Sequence, residues 1–170
     1  MKNSYTPKKI GIMAMFVAIG LVLQYAESRF LVLSVPGGKL GLANVVSIIN
    51  IFMFGGKNAL IIAVLRATLT SFLVGGIATL PYGVLGALFS VLIMAFTKKY
   101  FYPKVSIIGI SVLGAAFHNI AQLMVAFLQY SSPYVFSYLP GLMVVSVLTG
   151  IVTGYTAKVF ARRALKIGGI

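Results

Sequence analysis

Residues 105–129 read VSIIGISVLGAAFHNIAQLMVAFLQ, an apolar run without a single Lys, Arg, Asp or Glu. At about 1.5 Å per helical residue, such a run is long enough to cross the roughly 30 Å hydrocarbon core of a bilayer. The rest of the chain has the same character. Of its 170 residues 60% are hydrophobic and 9% charged, with a mean hydropathy of +1.05. A soluble domain carries about 25% charged residues, so this chain has too few to cover a water-facing surface. Its wealth of Ile, Leu, Val and Phe equally excludes disorder. The sequence therefore reads as an all-α integral membrane protein, a bundle of six transmembrane helices forming one membrane domain over 1–170.

Working outward from 105–129, the spans fall at 10–26, 41–54, 58–74, 79–96, 105–129 and 135–160. The head MKNSYTPKK and the run after it resemble a signal peptide, but no small-residue cleavage site follows and further spans come after it, so 10–26 is read as the first span. The loop 27–40 contains Pro36-Gly37-Gly38, which stops any helix. The second span is short, which implies tilt or a contribution from that loop. Gly55-Gly56 and Gly75-Gly76 mark turns, and Pro81 is tolerable in the first turn of the fourth helix. Lys98, Lys99 and Lys104 form a basic loop, and Lys158, Arg162, Arg163 and Lys166 a basic tail.

Six spans put both termini on one side. Lys2, Lys8, Lys9, Lys57, Lys98, Lys99, Lys104, Lys158, Arg162, Arg163 and Lys166 then share that side, against Arg29 and Lys39 on the other. This asymmetry places both termini on the cytoplasmic side, with the chain multi-pass in its membrane. The net charge of +13 is thereby explained by topology and anionic lipid, and nucleic acid is not an expected partner.

Glu27 is the only acid, and there is no Asp and no Cys. Paired-carboxylate catalysis, Asp-rich Mg²⁺ sites, thiolate nucleophiles and thiol-bound metals cannot be built from these residues, so the chain is not expected to be an enzyme or to hold a metal. Polar groups inside a bilayer are expensive and mark function by default. Arg66 lies mid-span. His118 and Gln122 share a face at i,i+4, with Asn119 beside them, so the fifth helix carries a polar stripe that must face protein or water. With Asn44 at the outer end of the second helix, and Glu27, Arg29 and Lys39 in the loop above, these groups are expected to converge on an outward-facing pocket for a polar-headed or anionic ligand. The residues also allow a plainer arrangement, in which Arg66 pairs with Glu27 or caps helix carbonyls and the amides join helices. Ala14 and Ala18, four apart on the first helix, form a small-residue surface suited to internal packing or to a partner helix.

At Glu27-Ser-Arg29, Lys39-Leu-Gly-Leu-Ala-Asn44, Arg66 and Gly114-Ala-Ala-Phe-His118-Asn119-Ile-Ala-Gln122, the sequence resembles a bacterial membrane family labelled both heptaprenyl diphosphate synthase component I and Gx transporter. The resemblance covers nearly the whole chain. The family is similar to the substrate-binding S components of energy-coupling factor (ECF) transporters, which implies six helices, a pocket covered by the first loop, and an Ala-x-x-x-Ala surface, matched by Ala14 and Ala18, for docking a coupling subunit that works with ATPases. It also resembles the membrane protein B type found with flavin-based extracellular electron transfer, which implies another membrane electron-transfer protein as partner and a noncovalent flavin or quinone as the only cofactor. Prenyl diphosphate synthases as a class use Asp-rich motifs, and none exists here, so the synthase label implies at most a non-catalytic accessory subunit. The chain has no Walker loop, and ATP-driven transport would need separate ATPases.

Overall fold

A computed structural model describes residues 6–30 and 41–167, and these are helical almost throughout. The helices are α1 (Pro7–Phe30), α2 (Asn44–Phe54), α3 (Gly56–Thr70), α4 (Leu80–Phe101), α5 (Ile107–Tyr130) and α6 (Leu139–Ile167). A π-helical turn, Ser71–Gly75, extends α3, and short 3-10 turns precede α4 (Ile77–Thr79) and α6 (Pro133–Tyr138). Five stretches are long and apolar enough to cross a membrane. The protein is thus the six-helix membrane bundle expected, with one difference. α2 has 11 residues, about 16 Å of helix, and covers only half of a hydrocarbon core.

Several boundaries differ from the sequence reading, and at three helix ends the reason is that a charged residue marks the edge of the bilayer and not the end of a helix. α1 does not stop at Ala26 but runs through Glu27 to Phe30, so Glu27 and Arg29 are helical and not in a loop. α4 continues through Lys98 and Lys99 to Phe101, where cations suit the negative end of the helix dipole. α6 likewise carries Arg162, Arg163 and Lys166 within the helix instead of in a tail. The covering loop expected over 27–40, with Lys39 and Pro36-Gly37-Gly38, lies outside the described residues from 31 onward, as does the side chain of Arg29.

Close approaches between named residues give the helix directions. Gly150 and Gly154 of α6 meet Val112 and Ile108 of α5, where a Cβ would fall 2.5 and 2.7 Å from their respective Cα atoms, so these helices are antiparallel with backbones almost touching. Ser111 and Thr153 share a 2.8 Å hydrogen bond along the same seam. Gly86 and Met94 of α4 meet His118 and Gly114 of α5, and Gly83 and Ala95 of α4 meet Ala67 and Gly56 of α3, so α3, α4 and α5 alternate in direction. α2 sits in the middle, with Val46, Ile48, Ile49 and Ile51 buried against Phe16, Ile62, Val91, Met94 and Ile110. A helix apolar on nearly all sides belongs inside, and seven of its residues are buried. Outside, every long helix exposes large apolar side chains, for example Val22, Leu73, Leu92, Leu128 and Leu148. On a water-facing surface that would be an aggregation hazard, and against lipid it is the expected finish.

Candidate functional site

In the half of the bundle away from Lys57, Lys98, Lys99 and Lys158, the helices enclose a small polar chamber. It is lined by Gln24 and Glu27 of α1, Gly41, Ala43 and Asn44 at the start of α2, Arg66 and Ala67 of α3, Gly83 of α4 and His118 of α5. Its volume is about 10 Å³, which holds about one water.

α1 builds one wall from Gly20, Gln24 and Glu27, which share a face at spacings of four and three. The Arg66 side chain crosses α1 at Gly20, where a Cβ would collide with its Cδ. Arg66 Nη1 then donates to Gln24 Oε1 at 2.6 Å. Thr70, one turn on from Arg66, shares its one hydroxyl proton between the same oxygen at 3.2 Å and the Arg66 carbonyl at 2.9 Å. Gln24 Oε1 therefore occupies an acceptor position between two donors of α3.

Glu27 closes the top. Its carboxylate accepts the Gly41 amide at 2.7 Å and the Leu42 amide at 3.0 Å, capping the approach to α2 with negative charge at the positive end of the helix dipole. Its charge also acts on Arg66. Gly41 holds φ +78, a left-handed conformation that favours glycine, and a Cβ there would come 2.9 Å from Asn44 Nδ2. At α2's other end Lys98 Nζ donates to the Ile51 carbonyl at 2.7 Å and lies 4.4 Å from the Phe52 ring centroid. The short helix thus has an anion at its N-terminus and a cation at its C-terminus.

His118 lies on α4 where Gly86 leaves room: a Cβ at Gly86 would fall 2.7 Å from the imidazole Cε1. Asn119, one residue and about 100° further round α5, faces α6 instead. Its Nδ2 donates to Ser146 Oγ at 2.8 Å. Gln122 is buried but does not line the chamber. Of the expected cluster, the fold brings together Arg66, His118, Asn44 and Glu27, and it sends Asn119 and Gln122 elsewhere. Two members of the site, Gln24 and Thr70, were missed by the sequence reading. The available signal was their spacing, Gln24 three before Glu27 and Thr70 four after Arg66.

Two donors in this chamber are unspent. Arg66 Nε and Asn44 Nδ2 are buried and have no hydrogen-bond partner among the described residues. Leaving a buried donor unsatisfied costs about 1–3 kcal/mol, more for a charged one, so the site is chemically prepared for an oxygen acceptor. On α1, Ala14 and Ala18 are exposed, away from the core.

Residues 16–160 match the sequence model of the family described as heptaprenyl diphosphate synthase component I. The chain belongs to that family. No curated protein and no solved structure matches it. The component I match takes in every residue lining the chamber, and the description implies a partner synthase component. It stops short of Lys8, Lys9, Arg162, Arg163 and Lys166 at the basic end.

Proposed function

We propose that the protein is a non-catalytic, small-molecule-binding membrane subunit, taking an oxygen of an anionic or carbonyl-bearing headgroup into the chamber. The observation that carries this is the pair of unspent buried donors, Arg66 Nε and Asn44 Nδ2, on a chamber holding about one water. Arg66 supplies the charge, Asn44 and His118 orient the headgroup, and Glu27 limits the net charge of the site. In this reading the protein is a binding subunit of the S-component type, its chamber in the outer half and the exposed Ala14 and Ala18 available to a coupling subunit. A flavin or quinone ring does not fit a chamber of about 10 Å³, and the proposal involves neither.

The family match favours a second reading, an accessory subunit that presents a prenyl-chain intermediate to a separate synthase component. The absence of Asp from the whole chain supports a non-catalytic part in such a pair. One experiment serves both. The protein is extracted gently from its own membranes, and native mass spectrometry identifies released small molecules and retained partners. A stoichiometric ligand is expected in the wild type and not in Arg66→Ala, with helix content unchanged by circular dichroism. ATPases with a coupling subunit support the first reading and a synthase component the second. A ligand retained at full occupancy by Arg66→Ala would overturn both.

A further inference from the structure

A second cavity lies directly behind the chamber wall, and it has the opposite character. Leu21, Val22 and Tyr25 of α1 face Thr70, Leu73 and Val74 of α3 and its π-helical turn across an apolar groove of about 220 Å³. That exceeds the roughly 150 Å³ in which an apolar protein cavity binds benzene. The groove opens to the membrane-facing surface, where Val22 is 67% and Leu73 71% exposed. The π-helical turn forms one side of it, carrying Leu73 and Val74, and such turns recur at functional sites. The Gln24–Thr70 hydrogen bond links the walls of the two cavities: Gln24 lines the chamber, Thr70 lines the groove.

Resting on the reading of the chamber given above, we infer that the groove is the seat of the ligand's hydrocarbon chain, and that the ligand is a single-chain anionic amphiphile entering sideways from the bilayer through the Gln24–Thr70 wall. Three observations require this division. The chamber admits an oxygen atom but not the body of an organic molecule. The groove is apolar, faces lipid and adjoins the chamber. Gln24 Oε1 already accepts from Arg66 Nη1 and Thr70 Oγ1, the position a headgroup oxygen would take. Gln24 is therefore a gate: its amide oxygen satisfies the cation while the site is empty and withdraws when a better, charged acceptor arrives from the groove side. A phosphate and a carboxylate head share this chemistry.

The test uses the full chain in phosphatidylcholine nanodiscs with two probes, dodecyl phosphate bearing a diazirine on its chain and radiolabelled methyl phosphate, which has the head alone. Photolabelling is expected at 21–25 and 70–74. It should fall by about tenfold in Arg66→Ala and in Val74→Trp, which fills the groove, the loss of a few buried methylenes sufficing for that factor. Gln24→Glu, which supplies a permanent internal carboxylate, should block labelling, and Gln24→Ala, which removes the competing acceptor, should raise it. A merely structural Gln24 would not give opposite effects in these two variants. Groove labelling unchanged by Arg66→Ala, or labelling confined to other helices, would overturn the inference. Methyl phosphate binding lost in Arg66→Ala would in those cases leave the chamber reading standing. Binding of neither probe would overturn both. Dodecanoate with the same tag, run in parallel, tells a carboxylate head from a phosphate one.

Discussion

Glu27 commits both carboxylate oxygens to main-chain amides of the segment leading into α2, and it does so from a position 2% exposed. Replacing it with Gln keeps the shape but sets an amide N–H₂ against an amide N–H, so one donor loses its partner. Glu27→Gln should therefore lower stability by about 2 kcal/mol, read as a reduced thermal midpoint in micelles or nanodiscs. At this scale the sequence was informative where a residue was expensive. Arg66, His118, Asn44 and Glu27 stand out because a polar group in an apolar run demands a reason, and all four line the chamber. Gln24 gave no such alarm, being a neutral amide near the end of a span. Asn119 and Gln122 show the limit. Their helical face could be read, but which neighbour that face meets is decided by the packing of α4 and α6, and Asn119 was drawn to Ser146.

Helices were legible in kind and order, and less so in their ends. The sequence reading ended the fourth helix at 96, before Lys98 and Lys99, whereas the helix continues to Phe101 and Lys98 reaches back to cap α2. A lysine there marks the depth of the headgroups, and its long stem lets the backbone stay helical beyond the apolar run. The α5–α6 seam was also overlooked, although Gly150 and Gly154 have the four-residue spacing that brings membrane helices together. No side chain can be added there without moving backbone. Gly150→Leu should lower stability by about 1–3 kcal/mol, as overpacking does, while the same change at exposed Gly141, where nothing lies within 4 Å, should be nearly silent. Thermal unfolding of the two variants side by side checks this.

Over the whole molecule, hydropathy and charge sufficed for class, helix count and the grouping of cations at one end, because the bilayer imposes those through free energies that add along the chain. They marked the second span as short, but not that its helix has only 11 residues against 15 to 29 in the other five. That short helix sets a depth. α2 runs about 16 Å from Asn44 at the chamber to Phe54 at the basic end, where Lys98 lies against Ile51 and Phe52, so with Lys98 at the edge of the bilayer the chamber would lie about halfway through a hydrocarbon core about 30 Å thick. A unit charge moved to that depth crosses about half of the transmembrane voltage, worth about 1 kcal/mol per 100 mV. Occupancy by an anionic amphiphile drawn from the leaflet away from the basic end should accordingly fall about fivefold when the basic end is made 100 mV negative. Proteoliposomes with an imposed potassium gradient would measure it. On the proposed reading, a half-span helix would make the chamber's occupancy respond to whether the membrane is energised.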